Sequence, residues 1–351
     1  MVNIAVLGYG TVGSGVVEVI QTNQEIVNKR AGQEVNIKYV LDLREFEGDP
    51  IQKILVHDYD TILNDKDVKV VVEVMGGVEP AHTFVKQALE NGKSVCTSNK
   101  EMVAKYGAEL IQIAEDNNVN FLYEASVGGG IPIIRPLTSS LTCDDITEVS
   151  GILNGTTNYI LTKMRDEGAA FADVLREAQE KGYAERNPEA DIEGYDACRK
   201  IAILTSLVCG QQVDYEDVHT EGITKITEKD FLYAKALKGS IKLLGTYQRM
   251  DGKAYVMVAP MIVSEKHPLY HVDGVFNAIF VHGNMLDDAM FYGRGAGKLP
   301  TASAVVSDVV DEVKHMGKHI MQIWEPGKLE LGNFDEWKHR FLVRIQSADI
   351  D

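Results

Sequence analysis

A glycine-rich motif near the start of the chain most constrains its fold. Residues 2–7 form a short, mostly apolar run typical of a buried strand, and Gly8-Tyr9-Gly10-Thr11-Val12-Gly13 follows before a helical apolar pattern. In such a turn Gly8 permits a tight bend, Gly10 lets a pyrophosphate approach the backbone, and Gly13 allows close packing of helix on strand. The helix N-terminus attracts the anion. Although the glycines alone would also suit a packing turn, their context predicts a dinucleotide site.

Strand-like and helix-like segments go on alternating through the first third of the chain. This alternation predicts an α/β protein whose first domain, residues 1–135, has a doubly wound parallel sheet of the Rossmann type. The further predicted strands are 35–41, 68–75, 94–97 and 121–125, and the predicted helices are 80–91 and 104–117.

Two charged residues at the end of the second predicted strand concern the choice of cofactor. Asp42 is placed to bind a ribose 2′-hydroxyl and would repel a 2′-phosphate, whereas Arg44 is placed to bind that phosphate. Both residues are equally consistent with solvated loop charges. The sequence therefore predicts NAD or NADP and leaves the preference open.

The charge and composition exclude several classes of partner. A net charge of −17 and an isoelectric point near 5.0 would repel nucleic acid and anionic membranes, so neither is expected as a partner. Short apolar runs, the lack of a basic and apolar leader, and four cysteines without a CxxC pair favour a cytoplasmic protein with reduced thiols. The pairs His267 with His271 and His315 with His319 have no third ligand nearby, so no metal site is predicted there.

The stretch AQEKGYAERNPEADIEGYDACRK, residues 178–200, concentrates carboxylates in front of one lysine. It begins as an amphipathic helix that stops at Gly182, and a largely apolar helix runs from Asp196 to residue 208. Asp196 and Lys200 are four residues apart and so share one helix face. An exposed ion pair would explain this spacing. Apolar neighbours instead indicate a buried lysine, which is usually paired or has an altered proton affinity.

A polar segment, Asn-Gly-Thr-Thr-Asn at 154–158, lies between a predicted strand at 146–153 and a helix predicted to begin at Tyr159. Its hydroxyl and amide groups either bind a small polar substrate or cap the helix, and both alternatives stay open.

Alternating sequence at 254–261 predicts a mixed sheet in an α+β second domain, residues 136–300, which carries the substrate site and a dimer surface. The helix predicted at 301–316 returns to the first domain.

The 178–200 stretch and six other motifs resemble the homoserine dehydrogenase family, over roughly residues 1–320. The resemblance implies reversible oxidation of L-homoserine to L-aspartate 4-semialdehyde with NAD(P), a step toward threonine and methionine, by a homodimer or a dimer of dimers. The matching residues are Ala178, Gly182, Tyr183, Ala184, Asn187, Pro188, Asp191, Ile192, Gly194, Asp196 and Lys200, with the motifs at 8–13, 73–78, 97–100, 124–132, 154–158 and 292–297.

The resemblance also implies roles for individual residues. Lys200 would be the acid/base group, with Lys100 beside the nicotinamide and the reacting oxygen, while Asp196 and Glu185 would bind or orient the substrate's amino end. A cationic lysine stabilises an alkoxide and, once neutral, accepts a proton. Two lysines near one oxygen should lower each other's pKa. The implied sets are Glu185, Asp191, Asp196, Thr156 and Lys100 for the substrate, and Gly8, Gly10, Thr11, Val12, Gly13, Asp42, Arg44, Met75, Gly76, Gly77, Lys100, Gly182 and Gly297 for the cofactor.

The same resemblance implies a sodium site at the junction of the two domains. One carboxylate and three backbone carbonyls would form it, from Glu124, Val127, Gly129 and Ile131. The chain departs from the family at Arg294, where proline is common. This departure places a basic group near the cofactor phosphates and bears on the use of NADP.

The C-terminal segment, residues 321–351, resembles the start of a regulatory ACT module truncated after its first strand at 341–345. Because one strand cannot form that module, we expect no threonine feedback through a complete ACT domain.

Two other functions remain as alternatives. A non-catalytic dinucleotide sensor would need the 8–13 motif but would have no use for Lys100, Glu185, Asp196 and Lys200 together. Another amino-acid dehydrogenase of related architecture is separable only by comparing substrates.

Overall fold

The first domain of the computed structural model, which describes residues 1–345, is built on one parallel sheet. Its elements are β1 (Val2–Leu7), α1 (Thr11–Thr22), α2 (Gln24–Ala31), β2 (Val35–Leu41), β3 (Leu55–Val56), α3 (Tyr59–Leu63), β4 (Val68–Glu73), α4 (Ala81–Glu90), β5 (Ser94–Thr97), α5 (Lys100–Asp116) and β6 (Phe121–Leu122). The strand order is β3-β2-β1-β4-β5-β6 and every pairing is parallel. The predicted doubly wound sheet is confirmed, and its order reverses between β1 and β4, where such sheets bind ligands.

Two element boundaries differ from the prediction at places that shape the site. Strand β6 ends at Leu122 and not at residue 125, because Glu124 begins a 3₁₀ turn. Helix α5 begins at Lys100, one turn before the predicted residue 104, because the Asn99 side chain caps it by accepting the N–H of Met102. Lys100 thus lies at the positive end of the helix dipole, where a cation is disfavoured.

The second domain packs its helices against a mixed sheet. Its elements are β7 (Ile146–Ile152), α6 (Gly155–Glu167), α7 (Phe171–Glu180), α8 (Glu189–Ile192), α9 (Tyr195–Cys209), β8 (Gln211–Gln212), β9 (His219–Thr220), α10 (Glu228–Ala236), β10 (Gly239–Met250), β11 (Lys253–Ser264), β12 (Phe276–Gly283) and β13 (Asp287–Arg294). The sheet order is β13-β12-β7-β10-β11-β9, antiparallel except for the parallel β9–β11 pair. The predicted mixed sheet is confirmed.

Helix α9 is the buried helix that the apolar neighbours of Lys200 indicated. Its side chains Ile201 and Leu204 are fully buried in the same core as Leu243 and Tyr247 of β10. Gly194 precedes the helix with a φ of +84°, a conformation that favours glycine. The helix therefore projects its polar residues from a rigid, well-packed support.

Helix α6 begins at Gly155, four residues before the predicted start at Tyr159. Asn154 caps it, because its side-chain oxygen accepts the N–H of Thr157 at 2.9 Å. The β-branched pair Thr156 and Thr157 has low helix propensity, which hid the first turn. The capping alternative for this segment is therefore observed.

The predicted return to the first domain is made by α11 (Lys298–Lys314). It packs against α1 so closely that a β-carbon added at Gly15 would lie 2.9 Å from the carbonyl oxygen of Lys298. Val305 and Val309 of this helix share a core with Val16 of α1. The segment that follows β13 is thereby held beside the glycine turn of the first domain.

The C-terminal segment runs back over the second domain. Strand β14 (Glu325–Lys328) pairs with β8, and Trp337 is buried against Tyr255 and Met257 of β11. The strand predicted at 341–345 is wrong, because these residues have no regular secondary structure, and Arg344 is paired with Asp230 at 2.6 Å. The part of the predicted ACT-like segment at 346–351 lies outside the described residues.

Three of the four paired histidines make hydrogen bonds with the backbone in the described part of the chain. His267 accepts the N–H of Leu269, and the rings of His315 and His319 contact backbone carbonyl oxygens. Within residues 1–345, no helix is long and apolar enough to cross a membrane.

Candidate active site

The glycine turn after β1 forms an open cradle at the N-terminus of α1. Gly8 has a φ of +97°, and a β-carbon added at Gly13 would lie 1.9 Å from the carbonyl oxygen of Gly8. Both positions therefore require glycine. A β-carbon at Gly10 would meet no atom within 4 Å, and Thr11 and Val12 form the first turn of the helix. Their N–H groups have no intrahelical acceptor there, as an anion site requires.

The loop after β4 lies beside this cradle and is shaped by a buried carboxylate that sequence analysis missed. Glu73 accepts the Thr97 hydroxyl at 2.5 Å and the N–H of Met75 at 2.8 Å. Burial raises the pKa of Glu73 above its usual range, although these hydrogen bonds oppose the shift. Asn99 donates to the carbonyl of Gly77 at 2.6 Å. Met75, Gly76 and Gly77, which the resemblance assigns to the cofactor, are thereby held at the carboxyl edge of the sheet.

Asp42 and Arg44 form a pair with each other at the end of β2. The Asp42 carboxylate accepts from Nε and Nη2 of Arg44 at 2.9 Å each, and also from the N–H of Tyr9 at 2.8 Å. The hydrogen bond from Arg44 is the main cause that lowers the pKa of Asp42, and burial opposes it. The Arg44 side chain is 61% exposed, whereas that of Asp42 is 10% exposed. The arginine is therefore accessible to an anion beside the cradle.

At the junction of the two domains, a buried carboxylate is held between two lysines. Asp196 of α9 is paired through Oδ1 with Nζ of Lys100 at 2.9 Å and through Oδ2 with Nζ of Lys200 at 2.7 Å. Lys200 also donates to the carbonyl oxygen of Leu153 at the end of β7, at 2.8 Å. A lysine ammonium has three hydrogens, so Lys200 keeps one for another acceptor. Both domains contribute to this site, because Lys100 comes from α5 and Lys200 from α9.

The charges in this cluster determine its proton affinities. Burial alone would raise the pKa of Asp196, but the charges of Lys200 and Lys100 hold that pKa well below its usual range. The negative charge of Asp196 in turn raises the pKa of Lys100. The expectation that neighbouring lysines would lower each other's pKa is therefore wrong for Lys100, because a carboxylate lies between the two ammonium groups.

Asn154 links the lysine cluster to a second carboxylate. Its amide nitrogen donates to Oδ1 of Asp191 at 2.7 Å and to Oδ2 of Asp196 at 2.8 Å. Burial, followed by the charge of Asp196, raises the pKa of Asp191. The Thr156 hydroxyl donates to the carbonyl of Tyr183 at 2.6 Å and so ties α6 to the loop after α7. Asn154 thus brings Asp191 and Asp196 together, whereas the Thr156 hydroxyl binds the loop after α7 and neither carboxylate in the described residues.

Three predicted residues are not part of this tight cluster. The Glu185 side chain is exposed, and Gln179 donates to its backbone carbonyl at 3.0 Å. Gly182 ends α7 with a φ of +72°, and Gly297 precedes α11 with a φ of +125°; both are exposed. These residues lie on loops and make no hydrogen bond or ion pair with Lys200 within the described residues.

Glu124 lies at the predicted sodium loop, with its carboxylate already bound by backbone groups. Oε1 accepts the N–H groups of Ile133 and Ile134 at 2.6 and 2.9 Å, and Oε2 accepts that of Arg135 at 2.9 Å. The carbonyl oxygens of Val127, Gly129 and Ile131 accept no hydrogen bond from residues 1–345. A carboxylate and three free carbonyl oxygens are hard oxygen donors, which suit a hard cation.

Comparison with known proteins agrees with this geometry. A family model of homoserine dehydrogenase matches residues 132–310, and one of the homoserine dehydrogenase NAD binding domain matches residues 8–124. Homoserine dehydrogenase of Bacillus subtilis is 45% identical over 318 residues, which cover 90% of this chain and 73% of that protein. The chain belongs to the homoserine dehydrogenase family. It is therefore an NAD(P)-dependent oxidoreductase.

Solved structures of homoserine dehydrogenases share the fold. One from Thiobacillus denitrificans has a TM-score of 0.86 and 42% identity, covering 89% of this chain and 73% of that chain. A hyperthermophilic archaeal homoserine dehydrogenase in complex with NADPH has a TM-score of 0.75 and 29% identity, covering 89% and 97% of the two chains. The similarity thus extends across both domains.

Three residues make contacts that sequence analysis did not assign to them. Asn154 bridges two carboxylates, Glu73 shapes the loop after β4, and Asn99 both caps α5 and holds Gly77. Glu73 carried a local signal, because it is an acidic residue that ends a nearly all-apolar strand. The contacts of Asn154 with Asp191 and Asp196, and that of Asn99 with Gly77, span more than twenty residues of sequence, so local patterns do not predict them.

Proposed function

We propose that the protein catalyses the reversible oxidation of L-homoserine to L-aspartate 4-semialdehyde with NAD or NADP, a step toward threonine and methionine. The observation that carries this proposal is the pair of lysine ammonium groups held on either side of Asp196, where the cofactor domain meets the second domain. Two cations close together would stabilise the negative charge that an alcohol oxygen gains as hydride leaves its carbon, and this supports the proposal.

Lys200 acts as the acid/base group in this proposal. When bound, the nicotinamide accepts or supplies the hydride. In the reducing direction, Lys200 gives the aldehyde oxygen the one ammonium hydrogen that Asp196 and Leu153 do not occupy. In the oxidising direction, neutral Lys200 takes the hydroxyl proton. Lys100 stabilises the same oxygen as a cation, because Asp196 keeps it protonated.

The three carboxylates of the site have separate roles in this proposal. Both oxygens of Asp196 are occupied by Lys100, Lys200 and Asn154, so Asp196 orients the lysines. Asp191 uses one oxygen to accept from Asn154, and it binds the substrate's ammonium group with the other. Glu185, on the exposed loop, completes the amino-end site when that loop closes.

The cofactor is held by the first domain. The cradle of Gly8, Gly10 and Gly13 binds the pyrophosphate, with the N–H groups at the start of α1. Asp42 binds the 2′-hydroxyl of NAD, and the exposed Arg44 binds the 2′-phosphate of NADP. Because the two side chains are paired, we expect both cofactors to be used. Gly182 and Gly297 close over the cofactor from the second domain.

A sodium ion would be held by Glu124 and by the free carbonyl oxygens of Val127, Gly129 and Ile131. It would fix the loop that joins the domains. Turnover in sodium chloride should exceed that in choline chloride at equal ionic strength. Equal turnover in both salts would argue against the ion.

The assembly and location are further parts of the proposal. We expect a homodimer or dimer of dimers, formed through the outer face of the second sheet, where Leu244, Met257 and Met261 line a shallow cavity. Sedimentation velocity at micromolar concentration tests this, and a monomer would contradict it.

The free thiols of all four cysteines fit the reducing cytoplasm. The net charge of −17 argues against nucleic acid or an anionic membrane as a partner.

The substrate is tested by steady-state oxidation of L-homoserine, L-serine and L-threonine with NAD and with NADP, followed by nicotinamide absorbance. The proposal predicts turnover of L-homoserine at least tenfold above either of the others. Preference for another amino acid would assign a different dehydrogenase substrate. Cofactor binding without any turnover would point to a sensor.

A further inference from the structure

Asn277 of β12 is a buried amide whose two polar atoms have no hydrogen-bond partner in residues 1–345. The residue is 1% exposed, and both its Oδ1 and its Nδ2 lack a partner. Leaving a buried amide unpaired costs free energy, and an apolar side chain here would avoid that cost. Asn277 is therefore suited to hydrogen bonds that form in another state of the protein.

The surroundings of Asn277 show which segments it would bind. A β-carbon added at Gly295 would lie 1.9 Å from Nδ2 of Asn277, and one added at Gly155 would lie 3.5 Å from Oδ1. The amide is thus sandwiched between the 293–297 segment and the start of α6. Only glycine fits at Gly295, so this backbone approaches the amide as closely as a chain can.

These two segments belong to opposite ends of the site. Gly155 directly follows Asn154, which binds the carboxylates of Asp191 and Asp196. The 293–297 segment leads into α11, which packs against α1 next to the cofactor cradle through Gly15. Gly295 also lies against the sodium loop, because a β-carbon at Gly129 would be 2.3 Å from the Gly295 carbonyl oxygen. Asn277 is therefore located between the substrate end and the cofactor end.

We propose that Asn277 is a positioning residue that hydrogen-bonds to the backbone of the 293–297 segment and of the α6 N-terminus when substrate and cofactor are both bound. It thereby couples the binding of one to the binding of the other. This inference rests on the proposed function for the identity of the substrate. It assigns Asn277 no contact with the reacting atoms.

The test compares Asn277→Val with Asn277→Thr. The valine and threonine side chains have nearly the same shape, and threonine has a hydroxyl where valine has a methyl group. Both are β-branched and suit a strand. We expect Asn277→Val to melt at or above the wild-type temperature, because it removes an unpaired polar group. Its kcat should nevertheless fall at least about tenfold, while its KM for L-homoserine stays within about threefold of the wild-type value. Asn277→Thr keeps a donor and an acceptor and should stay within about threefold of wild-type kcat.

The coupling is measured directly by titrating the reduced cofactor, followed by its fluorescence. The titration is done with and without saturating L-homoserine, which does not react with the reduced cofactor. Wild-type affinity should rise at least about fivefold in the ternary complex, and this gain should disappear in Asn277→Val. Equal kcat and equal coupling in the two variants would overturn the inference, as would a parallel loss of stability and activity in Asn277→Val. If wild type itself fails to use L-homoserine, the proposed function fails. The coupling is then measured with whichever amino acid is turned over.

Discussion

Replacing Asp196 by asparagine tests the charge arrangement of the site. Asparagine keeps the shape but removes the charge that lies 2.9 Å from Lys100 and 2.7 Å from Lys200. It also turns an amide N–H toward one of these donors. Removing one partner of a buried ion pair costs about 3–5 kcal/mol. Because the Lys100 side chain is 42% exposed, solvent screens part of that loss, and we expect the lower end, about 3 kcal/mol.

Asp196→Asn should lower activity as well as stability. Positioned acid/base catalysis is worth about 10²–10⁴-fold, so kcat/KM for L-homoserine should fall at least about 100-fold, or roughly 2.7 kcal/mol. The matched control is Asp173→Asn, which breaks an exposed pair with Arg176 whose side chains are 63% and 68% exposed. The control should stay within about twofold of wild-type activity. A loss of less than threefold in Asp196→Asn would refute the assigned charge arrangement.

The pH dependence of the same variant follows from the direction of two pKa shifts. The folded-state pKa of Asp196 is lowered, so its stabilising contribution is present above its unfolded pKa of 3.8 and is lost as pH falls through the folded value. The stability difference between wild type and Asp196→Asn, measured by urea unfolding, should therefore narrow below about pH 4. The pKa of Lys100 is raised by Asp196, so removal of this charge should move the alkaline limb of the kcat profile to lower pH. A difference that widens in acid, or an alkaline limb that does not move, would contradict the account.

Three further substitutions test the cofactor site and the junction. Gly13→Ala puts a methyl group 1.9 Å from the Gly8 carbonyl oxygen and should weaken NADH binding, followed by fluorescence, about tenfold or more; unchanged affinity would contradict the cradle. Arg44→Ala frees Asp42 and should shift the ratio of NADP to NAD turnover about tenfold toward NAD, whereas an unchanged ratio would count against the pair. Glu124→Gln weakens three hydrogen bonds to backbone N–H groups and should lower stability by about 1.5–3 kcal/mol in chemical unfolding; a neutral effect would refute its structural role.

Much of the first domain follows from local sequence. The apolar run before Gly8, the glycine spacing and the helical pattern after it specify a strand, a turn and a helix without reference to distant residues. The boundary errors at α5 and α6 share a cause, to which the low helix propensity of Thr156 and Thr157 adds at α6. Both helices begin with polar side-chain caps, Asn99 and Asn154, at which apolar periodicity is silent.

The site itself was only partly predictable, because its contacts join distant parts of the chain. The spacing of Asp196 and Lys200 placed them on one helix face, as observed. The approach of Lys100 to Asp196 crosses from one domain to the other, and only the family resemblance brought the two together beforehand. Asn277 had no signal at all, because a lone asparagine in an apolar strand gives no indication of what it faces.

The most direct test of the central claim is the steady-state rate of L-homoserine oxidation by wild type and by Lys200→Ala, with folding checked by circular dichroism. Lys200 donates to both Asp196 and Leu153, and its ammonium group is the assigned acid/base. The account predicts that kcat falls at least about 100-fold while cofactor affinity stays within about threefold. A folded Lys200→Ala variant that keeps kcat within a few-fold of wild type would contradict it.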